Sequence, residues 1–183
     1  MKEAAHLVFI FLYMKLITIT DSSGAGKDTV ARMLSEMTGI PVLCSYTTRP
    51  KRDGEMNGKE HYFVKECNVP QSEMLAYTKY GGYEYWTCVD QINDSAIYVI
   101  DEDGMRELYR RFPQMPTVHI YVNATAEDLQ ARGISAERIA RDADRQTLPE
   151  SFYQYTIHNV GTKTELKRIV RCCVDWMKMK GFL

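Results

Sequence analysis

The chain is 183 residues long, 45% hydrophobic and 26% charged, enough to bury one sizeable core and too short for a second independent domain beside it. A formal net charge of -1 with a pI near 6.4 excludes any global pull toward nucleic acid or an anionic membrane, so basic function must come from local clusters. The five cysteines (Cys44, Cys67, Cys88, Cys172 and Cys173) are odd in number and form no C-x-x-C pair, which argues for a reduced, cytoplasmic setting rather than a disulfide framework.

Residues 7–14, LVFIFLYM, form an apolar run behind Lys2. The run is far shorter than the roughly 20 residues of a membrane span, and no small-x-small cleavage site follows it. Met14-Lys15 directly precedes the first strand signal, so residues 1–13 read as an extension and 14–183 as a single domain. An extension this apolar is expected to pack on something. A second subunit would serve, which makes a homodimer the assembly to consider.

From there the chain alternates. LITIT (16–20) reads as a strand, and DSSGAGKDT (21–29) as a loop before the helical segment VARMLSEM (30–37). Residues 44–95 break the pattern: rich in Tyr, Gly, Lys and Glu, they read as an inserted lobe on the substrate side. The alternation resumes with strands IYVID (97–101), TVHIYV (117–122) and YTIHN (155–159) and the helical segments GMRELYRRF, AEDLQAR and TELKRIVRCCVDWMKMK. This order predicts an α/β fold around a mostly parallel sheet, its core split between 14–43 and 96–183. In the last helix Thr162 and Glu165 make a capping box. Leu166, Ile169, Val170, Cys173, Trp176 and Met177 mark its core face, and Gly181 ends it.

The glycine loop carries the first chemical signal. The phosphate-cradling motif G-x-x-x-x-G-K-[ST] is met at Gly26 and Lys27, with Asp21 in place of the first glycine and Asp28 in place of the hydroxyl residue. Between a strand and a helix, backbone N–H groups and the positive helix end can hold anionic oxygens. Ser23, Gly24, Ala25 and Gly26 would form the cradle, and Lys27 would set a mobile cation beside the transferring group. Asp28 is itself a good Mg²⁺ ligand although it adds negative charge beside phosphates, and Thr29 supplies a hydroxyl one residue on. The plain alternative is an Asp-capped helix after a glycine turn.

Further along stands SYTTRPKRDGEMNGKEHYF (45–63), with two arginines three apart before a G-E-x-x-G turn. A phosphate dianion needs forked, permanently charged donors, which such a pair supplies. This stretch resembles the guanylate kinase signature. The resemblance implies a P-loop NTPase three-layer α/β fold with an inserted acceptor-binding lobe (44–95) and a short lid (about 132–146). It implies Arg49 and Arg52 on the acceptor phosphate, Ser45 on the base and Glu55 in the turn. His61 stands where the family commonly has a phosphate-contacting tyrosine. GGYEYWT (81–87) is similar to the family's aromatic turn, so that Tyr85 would contact the phosphate and Thr87 the base. Asp101, in VIDEDG, would face the base or the metal shell; as a lone residue it reads equally as a strand-terminal cap. NATAEDLQARG and ISAERIARDADRQ are similar to the donor-side helix and lid, with Arg132, Arg138 and Arg141 as candidates to embrace the transferring phosphoryl group.

Two departures stand out. Ala76 falls where the family usually reads the guanine edge with a glutamate, and Val99 where a second acidic residue is common. The implied activity is phosphoryl transfer from ATP with Mg²⁺ to a small-molecule nucleotide, most simply GMP or dGMP with altered base preference, and with no nucleic acid or membrane partner. A sugar-phosphate kinase resembling ribose 1,5-bisphosphate phosphokinase and a catalytically silent binding module are the alternatives. Retention of Lys27 and the arginines argues against silence.

Overall fold

The computed structural model describes residues 14–21, 24–143 and 148–183; the extension 1–13 lies outside them. Strand β1 (Lys15–Asp21) runs into the glycine loop and helix α1 (Lys27–Thr38), and the middle of the chain forms β2 (Tyr46–Thr47), β3 (Tyr62–Phe63), β4 (Met74–Tyr80) and β5 (Tyr83–Cys88). Then follow β6 (Ser95–Val99), α2 (Glu102–Arg111), β7 (Thr117–Asn123), α3 (Ala126–Ala131), α4 (Ala136–Ala143), β8 (Tyr155–His158) and α5 (Lys163–Met179).

The main sheet has the order β6-β1-β7-β8, and all its pairings are parallel. A parallel sheet needs both faces covered, which is why its strands read as continuous apolar runs. On one face Ile17, Ile19 and Ile120 meet Val30 and Leu34 of α1 and Leu166, Val170, Val174 and Met177 of α5. On the other, Leu16 and Tyr98 meet Met105 and Leu108 of α2. Three layers result, as the sequence implied. Because β1 sits between β6 and β7, the order of strands reverses beside it, and the crevice for a ligand opens at its carboxyl end.

Residues 46–88 build a second sheet, β3-β2-β5-β4, with its own small core of Met74, Trp86 and Cys88. A β-bulge at Met74–Ala76 aims both Leu75 and Ala76 into the cluster shared with α2, which ties this sheet to the main body. Helix α5 begins at the expected box: Thr162 Oγ1 accepts from Glu165 N at 3.2 Å, and Glu165 Oε2 accepts from Thr162 N at 2.7 Å. Several boundaries differ by a few residues, and one has a clear cause. β6 ends at Val99 rather than at Asp101, because the Asp101 carboxylate caps α2, accepting from Gly104 N at 2.7 Å.

Candidate active site

The glycine loop lies at the carboxyl end of β1, and both of its described glycines have positive φ, 90° at Gly24 and 100° at Gly26. That conformation favours glycine. Space requires it as well: a Cβ on Gly24 would come within 2.8 Å of the Ile134 side chain. Ala25 is fully buried and Lys27 opens α1, whose N-cap, Gly26, supplies no side-chain cap. Gly26 therefore claims none of the first-turn amides with a side chain, the arrangement an anion can exploit. Asp28 is exposed in that first turn and Thr29 is half-buried. Ser23 lies outside the described residues.

The acceptor-side residues converge on the second sheet. Arg49, only 7% exposed, donates through Nη1 and Nη2 to the two oxygens of Glu55 at 3.0 and 2.8 Å and through Nη1 to Pro50 O at 2.8 Å. Glu55 Oε2 also accepts from Arg52 N at 2.7 Å, so this one carboxylate fixes the turn between both arginines. The Arg49 guanidinium, ahead of the other causes, pulls the Glu55 carboxyl down to about 2. Glu55 thus serves as an orienting counter-charge. Arg49 also lies over the Phe63 ring at 5.4 Å, and the exposed Arg52 stands at the mouth of the turn.

Ser45 and His61, 16 residues apart, are joined by a 2.8 Å hydrogen bond between Oγ and Nδ1. The His61 ring packs edge-on against Tyr85 and Phe63, at 5.8 Å from each. Burial and then the Arg49 charge lower its pKa, while Glu55 and Asp28 oppose that shift. Thr87 is fully buried in β5 beside Ala76 of β4. Its hydroxyl faces the Tyr98 phenol without forming a hydrogen bond of good geometry.

Other expected residues fall differently. Asp101 spends one carboxylate oxygen on the α2 cap. Arg132, at the end of α3, donates to Ala25 O at 3.3 Å and to Asn159 O, which places its guanidinium under the glycine loop. Arg138 and Arg141 lie on α4, with side chains outside the described part. Asn159, absent from the sequence reading, joins the loop directly: its Nδ2 donates to Ala25 O at 2.6 Å. The available signal was a polar residue closing an apolar strand at the same sheet end as the loop.

A family profile described as guanylate kinase matches residues 13–169. The guanylate kinase of Symbiobacterium thermophilum is 33% identical over 141 residues, covering 69% of this chain and 67% of that protein. The guanylate kinase of Novosphingobium aromaticivorans is 32% identical over 164 residues, 79% of this chain and 74% of that one. Among solved structures, a guanylate kinase from Anaplasma phagocytophilum superposes with a TM-score of 0.64 at 23% identity, covering 89% of this chain and 86% of that one. A sugar kinase from Janibacter does so at 0.52 and 10% identity. These two likenesses bear on the fold alone.

Proposed function

For this chain, which belongs to the guanylate kinase family, we propose ATP-dependent phosphorylation of a nucleoside monophosphate, GMP or dGMP in the first instance. The observation that carries the reading is the Arg49–Glu55 pair: a buried guanidinium fixed in two-pronged contact on the lobe, in the same chain as a glycine loop at the carboxyl end of β1. A cradle for one anion and a fixed guanidinium for the other are what in-line transfer between two anions requires.

The residues present fit the donor. Gly24 and Gly26 shape a cradle of amides, the N-cap Gly26 brings no capping side chain, and Lys27 adds the mobile cation. On the acceptor side Arg49 is held rigid by Glu55, and Arg52 and Tyr85 complete a set for a phosphate dianion. His61, with Nδ1 on Ser45, would meet the same anion through Nε2. Lid arginines at 132, 138 and 141 would close over the transferring group, Arg132 after leaving the carbonyls that it now holds. Among the described residues no cluster of three or more His, Cys, Asp or Glu side chains is placed to hold a metal ion. The protein's share for Mg²⁺ is then Asp28, with Asp101's remaining oxygen, the other ligands coming from phosphates and water. Bound there, Mg²⁺ would neutralise charge developing between the β- and γ-phosphates.

The test is a coupled ADP-release assay across the nucleoside monophosphates, with ribose 1,5-bisphosphate as a further acceptor and calorimetry of ATP beside it. Turnover of GMP or dGMP supports the reading. Turnover of the sugar bisphosphate alone transfers the site to sugar-phosphate chemistry, and absence of ATP binding leaves only a binding module.

A further inference from the structure

Two donors from outside the glycine loop converge on a single loop carbonyl. Asn159, 8% exposed, follows β8 and is anchored through its own N–H to Asn123 O at 2.7 Å, at the end of β7. From there its Nδ2 reaches Ala25 O at 2.6 Å, and Arg132 Nη1 reaches the same oxygen at 3.3 Å. Arg132 Nη2 then donates to the Asn159 carbonyl, closing a triangle of Ala25, Asn159 and Arg132.

The consequence follows from peptide geometry. In a planar trans peptide the C=O and the following N–H point in opposite directions. Drawing the Ala25 carbonyl toward Asn159 turns the Gly26 N–H away from it, to the side on which α1 begins. Gly26 is fitted to the same partner, since a Cβ on it would lie 2.5 Å from Asn159 Nδ2.

We propose that Asn159 is a positioning residue for the donor phosphates: it locks the Ala25–Gly26 peptide so that the Gly26 N–H faces the bound anion. A donor preset toward an anion spends nothing on reorganisation when charge develops there. The role needs an N–H at position 159, because the group it holds is an acceptor. It rests on the reading that the glycine loop holds donor phosphates.

The test compares wild type with Asn159→Asp, which keeps the shape but sets a carboxylate against the Ala25 carbonyl. Calorimetry with ADP and Mg²⁺ on the wild type comes first, and no binding there overturns the loop reading and this inference together. With wild-type binding in hand, Asn159→Asp is expected to weaken ADP by about tenfold or more, as loss of a preorganised donor does. The Gly26 amide cross-peak of ¹⁵N-labelled protein should also lose most of its ADP-induced shift. KM for ATP should rise while KM for GMP stays within about twofold, a split that a merely structural role would not produce. Asn159→Ala, which adds no charge, gives the same readout should the aspartate variant fail to fold. A folded variant with wild-type ADP affinity and an unchanged Gly26 response overturns the proposal.

Discussion

Ala76 on β4 and Thr87 on β5 face one another across a single antiparallel rung, and both are buried, at 2% and 0% exposure. The family resemblance sets Thr87 on the acceptor base and a carboxylate where Ala76 stands. This rung offers a methyl group and a hydroxyl without a hydrogen-bond partner among the described residues. Glu84 is not poised to substitute. Its Oε1 accepts from Tyr77 at 2.6 Å and lies 3.9 Å from Lys79 Nζ, so moving inward would break both contacts.

Base selection should therefore be relaxed. A site that pairs the substrate's buried donors rejects analogues by about 10⁴-fold or more, whereas one lacking the partner discriminates by about 100-fold or less. Ratios of kcat/KM for GMP against AMP and IMP measure this, and Ala76→Glu should widen them toward GMP. Strict GMP selection by the unmodified chain would refute the relaxed preference while leaving the family assignment intact.

Lys27 carries a second expectation. It opens α1 immediately after Gly26, where its ammonium can follow the charge of the transferring group. Lys27→Ala should lower kcat by at least about 100-fold with little change in thermal midpoint, since it removes one strong preorganised charge. Steady-state kinetics on the folded variant decides, and near-normal turnover removes Lys27 from the machinery.

The main sheet was legible because its strands are apolar runs with helical periods between them, a pattern forced by burial on both faces. The second sheet was not. β2 and β3 have two residues each, too short for any alternation, and their pairing is decided by tertiary contacts such as the Tyr46 ring stacked between Tyr62 and Trp86. At the site, Arg49, Glu55, Ser45 and His61 announced themselves through one contiguous motif. Asn159 did not, because its meaning lies in a bond to Ala25, 134 residues away. Arg132 was visible as a lid candidate, but its present grip on the loop depends on where α3 ends, which spacing alone does not show.

His119 provides a pH test of the core. It is 7% exposed, its Nδ1 is 2.6 Å from Thr18 Oγ1, and Phe152 stacks on it at 4.7 Å. Burial lowers its pKa from 6.5 to about 4. The folded pKa lies below the unfolded one, so the unfolded state binds more protons between those values. Stability is full above about pH 6.5 and falls as pH drops toward 4. The loss is of order 1–3 kcal/mol at about 1.4 kcal/mol per pKa unit. Urea unfolding of wild type and His119→Gln at pH 7 and pH 4.5 isolates it: the variant should be weaker at pH 7 yet lose less on acidification. Equal acid losses in the two proteins would show that His119 does not titrate this way.

Asp28 is where the loop departs most from its motif, and its position sharpens the question of why a carboxylate is tolerated beside phosphates. It is exposed in the first turn of α1, so it pays little desolvation, and a carboxylate near a helix N-terminus is itself favoured by the dipole. It stands two residues after Gly26, beside the loop proposed to hold the donor phosphates. With Mg²⁺ bound there, the added negative charge becomes ligation instead of repulsion. Asp28→Ser restores a hydroxyl and should keep both turnover and Mg²⁺-dependent ATP binding within a few-fold, the water or hydroxyl ligand replacing the carboxylate. Asp28→Lys sets a cation where the metal would sit. It should abolish the Mg²⁺ dependence, although ATP without metal could still bind through its phosphates. Calorimetric titration of ATP with and without Mg²⁺ separates these outcomes for all three proteins. If the lysine variant binds ATP with the same Mg²⁺ enhancement as wild type, Asp28 is no part of the metal's surroundings, and the carboxylate serves only to charge the helix end.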